Sequence, residues 1–148
     1  MTIDDILAQA QERAQDEGYL YDGCLTPEEA WQLVQQHPQA RLVDVRTLPE
    51  WQFVGRVPSS LHVEWQSWPD GRLNAHFLQE LQTAVPRDAL VLFLCRSGQR
   101  SHDAATLACQ EGWACYNVLE GFEGALDSAH HRGYTEGWQA RGLPWVQS

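Results

Sequence analysis

The chain has 148 residues, 43% of them hydrophobic, which is enough for one buried core and too few for two ordinary domains. Its formal net charge of −10 argues against a general nucleic-acid partner or an anionic membrane surface, and no apolar run approaches the roughly 20 residues that span a bilayer. The N-terminus lacks a basic region followed by an apolar core, so no secretory signal and a cytoplasmic location are expected. Four scattered cysteines, Cys24, Cys95, Cys109 and Cys115, without C-x-x-C spacing, form neither a disulfide framework nor a zinc or redox motif. Thr2-Ile3-Asp4-Asp5 reads as a cap, and Ile3, Ile6, Leu7, Ala10 and Ala14 keep helical spacing up to Gly18. This predicts a helical extension over residues 1–22, packed on a domain formed by 23–148.

A short strand at Gly23-Cys24-Leu25 then gives way to a helix with Thr26 as N-cap and Pro27 at its first position. Ala30, Leu33 and Val34 of that helix face inward. Arg41 to Val45 is the second strand, and Pro58-Ser59-Ser60 leads into a third near Leu61-His62-Val63. Asn74 is expected to cap a helix carrying Phe77, Leu78 and Leu81, after which Pro86-Arg87-Asp88 turns the chain into the apolar run Ala89 to Leu94. Ser101 to Glu111 is helical, with Ala104, Ala105, Leu107 and Ala108 on one face; Gly112 ends it, and Cys115 to Leu119 is the fifth strand. Strands alternating with helices imply right-handed parallel crossovers. The predicted fold is α/β, an open, mostly parallel five-stranded sheet with helices on both faces, plus the extra N-terminal helix.

The most informative segment is Cys95-Arg96-Ser97-Gly98-Gln99-Arg100-Ser101. A cysteine at the carboxyl end of a central strand, just before a helix, sits at the edge where open parallel sheets bind ligands. Helix N-terminal amides and nearby arginines favour the thiolate, so such a thiol is expected to ionise more readily than a free one. Gly98 permits positive φ and turns backbone N–H groups inward, which makes the loop an anion cradle rather than a piece of core. Cys109 and Cys115, on the following helix and strand, read as packing residues.

The segment resembles the active-site loop of single-domain rhodaneses, sulfurtransferases that carry sulfur on a cysteine persulfide. The resemblance runs from about Gly23 to Trp145 through Leu42-Val43-Asp44-Val45-Arg46 with Glu50-Trp51, Gly55-Arg56-Val57-Pro58 before Leu61-His62-Val63, and Asn117-Val118-Leu119-Glu120-Gly121-Phe122-Glu123-Gly124. It implies a catalytic Cys95; substrate binding by Arg96, Ser97, Gly98, Gln99, Arg100 and Ser101; and structural support from Asp44 and Arg46, with Glu50 read as the partner of Arg46. A small donor such as thiosulfate, a thiol, cyanide or protein acceptor, and no metal or organic cofactor are implied with it. The chain departs from the family at Arg56, where a histidine is common, at Ser59-Ser60 in place of Gly-Ala, and in an insertion-like stretch, Ala125 to Gly137, expected to be a surface excursion or a lid.

Phosphatases and arsenate reductases of related fold are the enzymatic alternative. Their loops place an arginine after five intervening residues; here four separate Cys95 from Arg100, which suits a single sulfur atom better than a tetrahedral oxyanion. A non-catalytic binding or sulfur-carrier module is the other alternative, and Cys95 argues against the binding form. Among the aromatics, Trp31 and Trp113 suit burial, whereas Trp51, Trp65 and Trp68 fall in or beside connections and could rim a site for a protein or organic thiol. His62, His76, His130 and His131 show no metal spacing, and the His130-His131 pair reads as solvated.

Overall fold

The computed structural model describes residues 1–147, and its first two helices begin on capping boxes. At the start of α1 (Ile3–Glu17) the Thr2 hydroxyl accepts the Asp5 N–H while the Asp5 carboxylate accepts that of Thr2, and Gly18 closes the helix in the left-handed region. Thr26 and Glu29 repeat the arrangement for α2 (Pro27–Gln36), with Pro27 where a missing N–H leaves no bond unmade. Each such cap contributes about 1 kcal/mol.

The strands are, in chain order, β1 (Gly23–Leu25), β2 (Ala40–Asp44), β3 (Leu61–His62), β4 (Gln66–Ser67), β5 (Arg72–Leu73), β6 (Leu90–Leu94) and β7 (Ala114–Val118). Five of them form one parallel sheet in the order β1-β7-β6-β2-β3, and β4 and β5 make a separate antiparallel hairpin. The remaining helices are α3 (Phe77–Ala84) and α4 (Gln99–Gln110).

Alternation along β6 sets the two layers. Val91 and Phe93 point to one face, under Phe77 and Leu81 of α3 and Ala104, Ala105 and Ala108 of α4. Leu92 and Leu94 point to the other, with Ile6 and Ala10 of α1 and Ala30 and Leu33 of α2. The N-terminal helix comes close enough to β1 that a Cβ on Gly23 would stand 2.9 Å from the Ala10 backbone and 2.6 Å from the Tyr116 ring. No helix among the described residues is long and apolar enough to cross a membrane.

Local details depart from the pattern reading. α4 begins at Gln99 rather than Ser101, with Gly98 as its cap, and the last strand lies one residue earlier than expected. Asn74 is not the cap of α3. That position is His76, and the Asn74 side chain instead accepts the His76 N–H and donates to the Glu64 carbonyl and the Glu80 carboxylate, tying hairpin to helix. The hairpin and a π-helical turn, Glu50–Val54, escape pattern analysis because two-residue strands and a single turn have no period to show; Asp70-Gly71 was the usable hairpin signal. Trp113 is buried as expected, and Trp31 is half-buried against Trp138. Trp65 belongs to the margin of the core, edge-on to Phe77 at 5.1 Å, and Trp51 is half-buried and stacked on His62 at 4.8 Å, which leaves Trp68, 67% exposed, at the rim.

Candidate functional site

Cys95 follows the last residue of β6, and the chain turns at once into α4, so the thiol lies between a strand's carboxyl end and a helix's amino end. Gly98 has φ 113°, a conformation that L side chains rarely adopt, and this turns its N–H onto Cys95 Sγ at 3.1 Å. Ser101 Oγ, on the first turn of α4, lies 3.2 Å from the same sulfur. Ser101 in turn donates to Asn117 Oδ1 at 2.6 Å, and Asn117 Nδ2 reaches the Gly98 carbonyl at 3.3 Å, which closes a ring around the sulfur. Asn117 is a buried polar residue on β7 that sequence reasoning placed in the strand without a role. A polar residue inside an apolar strand was the available signal.

The loop is fastened from outside by the glycine-rich turn after β7. Phe122 N–H donates to the Cys95 carbonyl at 2.7 Å, and the N–H groups of Glu123 and Gly124 both donate to the Arg96 carbonyl at 3.0 Å. Gly121, with φ 71°, allows this approach: a Cβ there would stand 2.5 Å from the Arg96 carbonyl carbon and 2.6 Å from the Cys95 oxygen.

The expected substrate-binding residues divide into two groups. Arg96, Ser97 and Gln99 are exposed. Arg100 is half-buried, and its guanidinium pairs with both oxygens of Glu50 at 2.8 and 3.0 Å. This corrects the assignment of Glu50 to Arg46. Arg46 is instead claimed by Asp44, both fully buried, through three bonds of 2.7 to 3.0 Å, and it also donates to the Gly55 carbonyl at 2.6 Å. That pair makes no hydrogen bond to the loop. It reaches the loop through Phe122, whose ring lies under the Arg46 guanidinium at 4.2 Å.

Burial alone would push the Glu50 carboxyl up, but the Arg100 guanidinium and two bonds from Thr47 outweigh it and hold the group at about 2. A carboxyl depressed in this way stabilises the fold fully above its unfolded value of 4.5 and stops doing so as pH falls through about 2. Glu50→Gln should therefore lower stability at neutral pH by about 1–2 kcal/mol. Urea titrations should show its deficit shrinking between pH 4.5 and 2; a constant deficit across that window would contradict the pairing.

Burial pushes the thiols of Cys24, Cys109 and Cys115 up, which keeps them protonated near neutral pH and fits a packing role. Among the described residues no three His, Cys, Asp or Glu side chains gather closely enough to hold a metal ion. A cavity of about 260 Å³ beside the loop is bounded by Thr47, Glu50, Trp68, Arg96 and Arg100. The larger hollow of about 610 Å³ between His62, His76 and α3 contains no loop residue.

A cysteine whose sulfur meets one backbone N–H and one hydroxyl, between a central parallel strand and a helix start, defines a thiol-bearing α/β domain with its site at the carboxyl edge of the sheet. Residues 26–127 match the Rhodanese-like domain family, and the chain belongs to that family. The crystal structure of Rv0390 from M. tuberculosis is 47% identical, with a TM-score of 0.80, over 86% of this chain and 99% of that one. An uncharacterized Rickettsia conorii protein, RC0915, is 36% identical over 78% of this chain and 90% of its own length. The thiosulfate:glutathione sulfurtransferase of Saccharomyces cerevisiae is 31% identical over 64% of this chain and 70% of its own. Membership carries a sulfurtransferase-family role and the rhodanese-like fold described above.

Proposed function

We propose that this chain is a sulfurtransferase that moves a sulfane sulfur from a small donor such as thiosulfate to a thiophilic acceptor through a persulfide on Cys95. The observation that carries the reading is the ring around Cys95 Sγ: the Gly98 N–H at 3.1 Å and the Ser101 hydroxyl at 3.2 Å, positioned by Asn117. With the Asn117 amide oriented by the Gly98 carbonyl, its Oδ1 takes the Ser101 proton. The neutral thiol then donates to Ser101 Oγ; on ionisation the hydroxyl turns to donate to sulfur.

In the first half-reaction the Cys95 thiolate attacks the outer sulfur of thiosulfate. A bond forms between Sγ and that sulfur, the donor's S–S bond breaks, and sulfite leaves with the electron pair. In the second, the acceptor attacks the outer sulfur and Cys95 departs as thiolate. The start of α4 and the loop N–H groups, whose dipoles favour the thiolate, favour the terminal persulfide anion as well, so charge is met by groups already in place. Cys95 is 1% exposed, which favours a donor that presents one slim atom. Arg96 is the loop cation available to an anionic donor, with Ser97 and Gln99 beside it, while Arg100 keeps the loop in shape through Glu50. An arginine already holding a carboxylate is poorly placed to take a phosphate, which weighs against the phosphatase alternative. Residues 1–22 act here as an extension on a domain of 23–148, and free thiols suit a reducing cytoplasm.

Mass spectrometry after thiosulfate treatment tests the proposal: one added sulfur on Cys95 is expected, with cyanide turnover and negligible aryl-phosphate hydrolysis. Cys95-dependent phosphatase activity without a persulfide would replace it with the alternative. Ser101→Ala removes one hydrogen bond to a charged sulfur and should slow persulfide formation about tenfold, read by quenched-flow mass spectrometry.

A further inference from the structure

The 125–137 excursion is built rather than loose. The Asp127 carboxylate accepts the N–H groups of Ala129 and His131, Gly133 N–H donates to the Glu123 carbonyl, and Arg132 Nη1 donates to the Gly124 carbonyl at 2.7 Å. His130 has φ 62°, in the left-handed region where histidine is one of the few non-glycine residues enriched. The segment grows out of Glu123 and Gly124, whose N–H groups are bonded to the Arg96 carbonyl, so its position is tied to the residue after Cys95.

Together these residues enclose a hollow of about 530 Å³, lined by Arg96, Arg132, His130 and His131 with Leu126, Tyr134 and a single carboxylate, Glu123. Its charge is unusual for this molecule. The chain contains no lysine, and its arginines are mostly engaged: Arg13, Arg46, Arg72, Arg100 and Arg141 pair with carboxylates, and Arg56 and Arg87 lie over tryptophan rings. Arg96 and Arg132, like Arg41, which bonds only backbone carbonyls, have neither kind of partner among the described residues, and the rings of His130 and His131 make no hydrogen bond there. On a body of net charge −10, two guanidinium groups that share one carboxylate, Glu123, and meet two imidazoles beside the cysteine loop form a local recess with an excess of positive charge.

We propose that this recess is the acceptor subsite, and that it selects low-molecular-weight thiols carrying carboxylates, with Arg132 and Arg96 taking the carboxylate and Leu126 and Tyr134 covering the carbon skeleton. The proposal rests on the sulfur-transfer reading. In the step it serves, the acceptor thiolate attacks the outer sulfur of the Cys95 persulfide, a new S–S bond forms on the acceptor, the bond to Sγ breaks, and Cys95 leaves as thiolate. The acceptor's thiol proton passes to water and its carboxylates do not react. Carboxylate recognition by an arginine fork is directional, so the site orients as well as attracts.

The test starts from the full chain loaded with sulfur by thiosulfate and follows decay of the persulfide with mercaptosuccinate, thioglycerol or cysteamine, which are anionic, neutral and cationic thiols. In Arg132→Gln and in His131→Glu the rate with mercaptosuccinate should fall about tenfold, while the rates with thioglycerol and cysteamine stay within about twofold of the parent. His131→Glu keeps the test open should Arg132→Gln disturb the excursion, because the His131 ring makes no hydrogen bond among the described residues and its aromatic contact is with Tyr134. Equal changes for all three thiols, or none for any, would overturn the subsite. If the parent forms no persulfide, the sulfur-transfer reading fails first, and titration of the parent with (methylthio)succinate still decides the recess. Saturable binding weakened by both variants would support it, and absence of binding would remove it.

Discussion

Cys95→Ser should fold and transfer no sulfur. The hydroxyl can occupy the place of Sγ between the Gly98 N–H and Ser101, so the ring of bonds around residue 95 survives. A serine hydroxyl is not appreciably ionised near neutral pH and forms no persulfide, so the first half-reaction has no nucleophile. Turnover with thiosulfate and cyanide is expected to fall by at least about a thousandfold, the loss typical when a covalent nucleophile is removed. Cys109→Ala should retain most of it. The comparison separates a nucleophile from a thiol that merely packs; wild-type turnover in Cys95→Ser would end the assignment of residue 95.

Asp44→Ala should be the most destabilising single change at the site, although Asp44 makes no hydrogen bond to the cysteine loop. The Arg46 guanidinium is fully buried, Nη1 already lacks a hydrogen-bond partner, and without Asp44 the Gly55 carbonyl would be its one remaining hydrogen-bond acceptor among the described residues. Stranding a buried charge in this way costs about 3–5 kcal/mol, a large share of the roughly 5–15 kcal/mol that holds a domain together. Urea unfolding should show the loss. Asp44→Ala combined with Arg46→Met should recover most of it, because the remaining cavity is then apolar. A single-variant loss below about 1 kcal/mol would mean that the pair is not holding this end of β2.

The parts of this architecture that repeat along the chain were legible in the sequence. Alternation in β6, helical spacing in α1, and the Thr26-Pro27 start of α2 each state their structure within a few residues. Gly98 was legible for a different reason: few residues other than glycine accept its φ. The pairing of charges was not. Glu50 lies four residues from Arg46, the spacing of a helical ion pair, and the reading that joined them was local. Arg46 turns back instead to Asp44 at the end of β2, which leaves Glu50 for an arginine fifty positions away in sequence. Asn117 was hidden in the same way, because its partners Gly98 and Ser101 come from another element and only the sheet brings β7 beside β6. The excursion's approach to Arg96 likewise depends on bonds between separate turns, for which composition carries no sign.

The contact at Gly121 bears on how such a loop could be transplanted or enlarged. Backbone touches backbone there, so the start of the cradle, at Cys95 and Arg96, is a joint of two chain segments held from residues 121–124. A designer who lengthens the loop between Gln99 and Arg100 to accommodate a tetrahedral oxyanion must redesign the facing turn in the same step. A lineage in which this loop changes length would have to keep the Cys95 and Arg96 carbonyls where the facing turn meets them.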